Sequence, residues 1–269
     1  MKPTYTTFEE QIFFSTLRIE RPATKTMGTG FLVEIASCIE GMKYIFLITN
    51  KHVLEDPSKE TRLTLHLKDS DGSPLLGEVF NINLTAFKQG YYCPDSDEID
   101  LALVNVSELV EVTKAKTGRD LNFRNITVGM ISDYSELDLT ANKRIIFIGY
   151  PSDRYDHKNY LPILRGGIIA SIPKIDFEGK PQVLVDAQVF QGSSGSPVFT
   201  ILNAKWKFIG VIFQTMIRNQ EVQIIETEQQ VVTQEILGIG MMIKSTEVKQ
   251  LIDKAKAALD LINCPPVIN

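Results

Sequence analysis

Only three histidines, three cysteines and one tryptophan occur among the 269 residues, so chemistry that needs an imidazole or a thiol has few places to reside. No uninterrupted apolar run approaches the ~20 residues a membrane-spanning helix needs, and no membrane partner is expected. A basic excess is also missing. Lys and Arg number 28 against 33 Asp and Glu, a formal charge of -5, which argues against a nucleic-acid partner. Cys38, Cys93 and Cys264 are odd in number and widely spaced, with no CxxC pair to hold a metal. Their simplest reading is three free thiols in a reducing compartment. Glu9 and Glu10 stand where a signal peptide would carry its apolar stretch. Both features predict a cytoplasmic protein.

What is abundant is short apolar or alternating runs separated by Gly, Pro, Asn, Asp and Ser. They include Thr29–Ile35, Lys43–Thr49, Arg62–Leu67, Leu101–Val106, Arg144–Ile148, Gln182–Ala187, Lys207–Gln214 and Gly238–Ile243. Such lengths and spacings predict antiparallel strands in barrels or sandwiches rather than βαβ units. Two segments read as helical. Thr7 and Glu10 form a capping box for one N-terminal turn. Within Ser245–Ile262, residues Val248, Leu251, Ile252, Ala255, Ala258, Leu259 and Ile262 make a stripe at helical spacing that should pack on the body. The polar stretch Lys114–Asn122 reads as loop. The chain therefore divides into a first half (1–110), a connection (111–142), a second half (143–244) and a C-terminal helix with its tail (245–269).

Gln191-Gly192-Ser193-Ser194-Gly195-Ser196-Pro197 lies between two apolar runs. Small residues beside Ser194 permit a tight turn in which the Gly192 and Ser194 N–H groups converge on one point, as an oxyanion hole requires. Taken alone, the segment is also ordinary loop chemistry. A serine nucleophile needs a base, because a free hydroxyl is barely ionised at neutral pH. His52 ends the apolar run Tyr44–Ile48, whereas His66 alternates with Thr64 and Lys68 on a polar strand face and should lie on the surface; His157 sits in the polar loop 152–159. Asp100 opens the apolar run Leu101–Val104, where an ionised carboxylate needs a hydrogen-bonding partner such as an imidazole N–H. Chain order separates the alternatives. No histidine follows Ser194 and no aspartate precedes His52, so of the three known triad orders only His–Asp–Ser remains.

These motifs resemble the trypsin-like, chymotrypsin-fold serine peptidases, closest to the HtrA-like branch. Gly28-Thr29-Gly30-Phe31-Leu32-Val33 is similar to the opening strand of that family, and Ile48-Thr49-Asn50-Lys51-His52-Val53-Leu54 to its histidine motif. Asp100-Leu101-Ala102-Leu103-Val104 is similar to the aspartate motif, and Gln191–Phe199 to the serine motif. Phe147-Ile148-Gly149-Tyr150-Pro151 resembles the start of the second barrel, and Asp186-Ala187 an HtrA-like pattern. The resemblance implies an all-β fold of two Greek-key antiparallel barrels, here with a C-terminal α-helix and without a PDZ module. The active site would lie in the cleft between the barrels.

It also implies a serine endopeptidase acting through an acyl-enzyme, with catalytic His52, Asp100 and Ser194 and an oxyanion hole from Gly192 and Ser194. Gln188 would lie near the base of the pocket for the residue preceding the scissile bond. Gln191 and the strand Phe213-Gln214-Thr215 would also contact substrate. With Gln188 uncharged, a preference for Arg or Lys is not expected. No metal or organic cofactor is needed. Ser193 stands where trypsin has an aspartate that pairs with a newly cleaved N-terminus, so activation by that cleavage is not expected. The partners expected are a peptide or protein substrate and a regulatory protein. Two other readings stay open: a latent or inactive binding module on the same fold, and a non-peptidase serine esterase.

Overall fold

The computed structural model describes residues 4–85, 87, 90–224 and 229–264, with the backbone alone for 219–224 and 229–234. Eight strands form the first sheet: β1 (Thr16–Arg21), β2 (Thr26–Ala36), β3 (Lys43–Thr49), β4 (Thr61–Lys68), β5 (Pro74–Leu84), β6 (Tyr91–Tyr92), β7 (Ala102–Asn105) and β8 (Ile126–Thr127). Their order is β5-β4-β1-β2-β3-β7-β6, with β8 joined in parallel to β2. Six more strands close into a barrel in the order β10-β11-β14-β13-β12-β9. These are β9 (Arg144–Gly149), β10 (Ile163–Ile169), β11 (Gln182–Asp186), β12 (Pro197–Leu202), β13 (Lys205–Ile224) and β14 (Gln229–Lys244). The all-β architecture, with its two strand systems and C-terminal helix, is the chymotrypsin-like arrangement expected.

Three apolar cores explain why the halves stay together. One lies within the first sheet (Leu17, Ile19, Leu32, Leu47, Leu63) and one within the barrel (Phe147, Val183, Val198, Ile209, Met242). The third joins both halves: Phe31, Phe46 and Leu103 from the first meet Phe199, Phe208 and Ile243 from the second. Each fully buried side chain of this kind stabilises by about 1.5–3 kcal/mol. The cleft is thus built over a shared core.

The helices cross between the halves. The capping box at Thr7 and Glu10 starts α1 (Phe8–Gln11), and Phe8 stacks on Trp206 of the barrel with ring centroids 4.9 Å apart. The terminal helix α4 (Ser245–Asn263) buries Val248, Leu251, Ile252 and Ala255 in the shared core. Its stripe ends early. Ile262 is 73% exposed, because the last turn runs past the edge of the body.

Four expectations change. Cys38 and Cys264 form a disulfide with Cα atoms 6.4 Å apart, leaving Cys93 as the free thiol. Their separation of 226 residues gave no sign of the pairing; docking of α4 beside β3, where Tyr44 Oη donates to Asp260, creates it. His66 is buried, not on the surface, because both faces of β4 are covered; the Phe14 ring meets its imidazole edge-on at 5.5 Å. Part of the stretch read as loop belongs to helix α3 (Leu109–Thr117), which buries Leu109 and Thr113. Strands β13 and β14 also run well beyond the expected lengths, pairing from Gly210↔Lys244 out to Ile224↔Gln229.

Candidate active site

His52 and Asp100 come together through one strand pair. Strands β3 and β7 are antiparallel with Thr49 opposite Ala102, so the residues just beyond Thr49 and just before Ala102 share one end of the sheet. There the chain leaves β3 through Asn50 into the single turn α2 (Lys51–Leu54), which lifts His52 to a half-exposed position. Asn50 Nδ2 donates to the Asp100 carbonyl at 2.7 Å and ties the two segments. The Asp100 carboxylate then spans His52 twice. Oδ2 lies 2.5 Å from His52 Nδ1, and Oδ1 accepts the His52 N–H at 3.1 Å. Burial works to raise the Asp100 pKa, but the His52 hydrogen bond and charge outweigh it, so the carboxyl is held below its usual range. An ionised acceptor of this kind fixes the imidazole tautomer with Nε2 free to face the cleft.

Ser194 sits on the turn between β11 and β12, half-buried, with Ser193 and Gly195 buried on either side. Its hydroxyl donates to the Phe213 carbonyl at 3.3 Å rather than to His52. Ser193 N–H bonds to Phe190 C=O at 3.0 Å, closing a turn with Gly192 at φ +86°. The Gly192 and Ser194 N–H groups donate to no acceptor among the described residues. Gln191 C=O accepts from Ser152 N–H at 2.6 Å, and a trans peptide directs the Gly192 N–H the opposite way. The Ser193 side chain is buried, and its hydroxyl has no hydrogen-bond partner among the described residues.

Thr29, which carried no role in the sequence reading, proves to be the hub between the halves. Its N–H bonds to Ser194 C=O at 2.9 Å, and its hydroxyl donates to Gly192 C=O at 2.9 Å while accepting from Tyr150 N–H at 3.0 Å. Its carbonyl accepts from Thr49 Oγ1 and lies only 1.8 Å from where a Cβ on Gly195 would sit. Gly195, at φ +86°, therefore tolerates no side chain. The Gly28-Thr29-Gly30 pattern was the available signal: a polar residue between two glycines inside an apolar strand marks a close backbone approach.

The other predicted residues lie on two segments of the second half. Gln188 and Gln191 are exposed on the segment leading to Ser194. Phe213, Gln214 and Thr215 lie on β13, where register shifts fall between Ile212 and Gln214 and again between Thr215 and Ile217. Such bulges re-aim a strand beside a site. His157 lies against Tyr155 in the exposed loop, the rings tilted with centroids 4.1 Å apart, and His66 is enclosed on β4, so neither belongs to this constellation. No cluster of three or more His, Cys, Asp or Glu able to hold a metal exists among the described residues, and none of the described helices is long and apolar enough to cross a membrane.

No curated protein matches the chain. The model of the trypsin-like peptidase domain does match, over residues 28–211, a span that runs from the strand carrying Thr29 through His52, Asp100 and Ser194 to β13. With more than half its length covered by that one model, this chain belongs to the trypsin-like peptidase family.

Proposed function

We propose that the protein is a serine endopeptidase, and the observation that carries this reading is the pair of hydrogen bonds that the Asp100 carboxylate accepts from the His52 ring and backbone N–H. His52 Nε2 takes the Ser194 proton as Ser194 Oγ attacks the scissile carbonyl. The Gly192 and Ser194 N–H groups hold the developing oxyanion. His52 then protonates the leaving amine, and water repeats the sequence to release the acid. Asp100 stays ionised throughout and stabilises the imidazolium. The steps need no metal and no organic cofactor.

The hydroxyl of Ser194 bonds to Phe213 C=O in the free protein, and that acceptor is where an extended substrate backbone would pair along β13. A substrate N–H taking up Phe213 C=O displaces the serine hydroxyl, which then turns to His52. Free active sites commonly show such loose geometry before substrate tightens it. Gln188, Gln191, Gln214 and Thr215 line the approach and favour small, apolar or amide-bearing side chains over cationic ones. A regulatory protein partner is part of the proposal. The location is left to fractionation, since the Cys38–Cys264 bridge fits an oxidising compartment better than the cytoplasm.

The test is covalent labelling by a fluorophosphonate probe. Wild type should react, Ser194→Ala should not, and His52→Ala should react far more slowly. Reaction of Ser194→Ala at the wild-type rate, or no reaction of wild type, rejects the assignment; the latter puts the binding-module reading first. Cleavage of simple esters with no cleavage of any peptide favours the esterase.

A further inference from the structure

Ser193, buried inside the turn before Ser194, is uncharged, and its hydroxyl has no partner among the described residues. The contacts on the turn lead elsewhere. Gln191 C=O is held by Ser152 N–H, and a Cβ on Gly192 would lie 2.5 Å from Tyr150 C=O, so the segment 150–152 is the floor beneath the turn. That floor has unusual backbone. Ser152 and Asp153, neither of them glycine, are consecutive residues in the left-handed region, at φ +49° and +57°. Such a pair persists only where its surroundings over-determine it, and these positions cluster at functional sites.

What holds the pair comes from the other half. Arg18 on β1 reaches across, with Nε 2.8 Å and Nη2 2.7 Å from Asp153 Oδ1. Its Nη1 bonds Glu20 at 2.6 Å, and its guanidinium lies 5.2 Å from the centre of the Tyr155 ring. The Arg18 side chain is only 11% exposed. Burial alone would lower its pKa, but the hydrogen bonds to Asp153 and Glu20 more than offset it and raise the value. A cation so enclosed by acids and an aromatic face has little freedom to swing away.

We propose that Arg18 is a positioning residue for the oxyanion turn, acting through its ion pair with Asp153. The pair holds Ser152 and Asp153 left-handed, Ser152 N–H thereby fixes the Gln191 carbonyl, and the Gly192 N–H is left facing the cleft. The first half of the molecule thus supplies, through β1, the anchor that Ser193 does not. Without the pair, Ser152 relaxes to an ordinary conformation, Gln191 C=O loses its donor, and the Gln191–Gly192 peptide is free to rotate. This inference rests on the peptidase reading and assigns the control of its oxyanion hole.

The test measures kcat and KM on a fluorogenic peptide, and affinity for a peptide boronate, in the full chain. A boronate becomes tetrahedral on Ser194 and presents an oxygen to the oxyanion hole, so it reports the hole directly. Asp153→Asn is the principal variant, because asparagine accepts the left-handed region and keeps the size while losing the charge. Asp153→Asn and Arg18→Ala should each lower kcat about 10–100-fold, short of the roughly 10²–10³ lost with a whole donor, with KM within about twofold. Boronate affinity should fall by the same factor. Arg18→Lys should recover part of the loss, and Asp120→Asn, which breaks the Lys114–Asp120 pair of the first half, should lose nothing.

Unchanged kcat in Asp153→Asn overturns the proposal. So does a fall in kcat accompanied by an equal rise in KM and a lowered melting temperature, which would mark general loosening. A wild type that neither cleaves peptide nor reacts with fluorophosphonate overturns the peptidase reading itself, and the proposal with it.

Discussion

The two sides of the cleft are built differently. The His52–Asp100 side is assembled within the first half: β3 and β7 set the register, Asn50 ties the segments, and Asp100 grips both the ring and the backbone of His52. The Ser194 side is not self-sufficient. Its turn takes hydrogen bonds from Thr29 on β2 and from Ser152 after β9, and its glycines press against Thr29 and Tyr150 carbonyls. In the proposed assignment one half builds the base, and both halves together build the surroundings of the nucleophile. Catalytic competence should therefore be sensitive to docking of the halves in a way that the dyad alone is not.

The largest effect expected tests the self-contained side. Asp100→Asn keeps the size but removes the acceptor that selects the imidazole tautomer, and kcat should fall about 10⁴-fold. The melting temperature should shift little beside that loss, because β3–β7 pairing starts at Ala102 and the Asn50 bond uses the backbone carbonyl of Asp100, not its side chain. A loss under tenfold in steady-state kinetics would show that Asp100 does not orient His52.

Thr29→Val probes the shared side at the next scale. The shape is preserved, but Tyr150 N–H loses its acceptor and Gly192 C=O its donor. Stranding buried backbone groups costs about 1–3 kcal/mol each. Both stability in urea and kcat should drop, the latter about 10–100-fold. Thr49→Val, which removes a donor to the Thr29 carbonyl alone, should be milder on both measures. Equal effects in the two variants would remove Thr29 from its place as the hub.

The smallest effect falls outside the cleft and reads stability only. His66 is enclosed on β4, and burial lowers its pKa to about 4, with the nearby Tyr160 backbone offsetting part of the shift. An unfolded chain holds this imidazole near pKa ~6.5, so between ~6.5 and about 4 the unfolded state binds a proton that the folded state refuses. Stability is complete above ~6.5 and is lost progressively as pH falls. At about pH 5 the difference of ~1.5 units corresponds to about 2 kcal/mol. His66→Leu should flatten this part of the melting-temperature profile while kcat near neutral pH stays within about twofold. An unchanged acid slope would show that other groups carry it.

Much of this was written in the order of residues. The strand runs, the capping box at Thr7 and the apolar stripe of α4 are local patterns with fixed periods, so they were legible directly. His52, Asp100 and Ser194 were singled out because a carboxylate at the head of an apolar strand is costly to bury without a partner, and because only one triad order fits the chain. His66 misled because period-two alternation names a polar face without saying whether something covers it. Here Phe14 and the chain near Tyr160 do. The outer part of the β13–β14 ribbon escaped notice because paired residues there, such as Arg218 and Glu235, are polar, and pairing between them needs no apolar code.

The sequence by itself determined the strands, the all-β class and the choice of His52, Asp100 and Ser194 as the proposed triad, since each follows from a local pattern or from chain order. Only the tertiary structure decided the Cys38–Cys264 bridge, the burial of His66, the hub at Thr29 and the reach of Arg18 to Asp153. These contacts join positions 20 to more than 200 residues apart, and their existence depends on how two halves dock rather than on what either segment prefers alone.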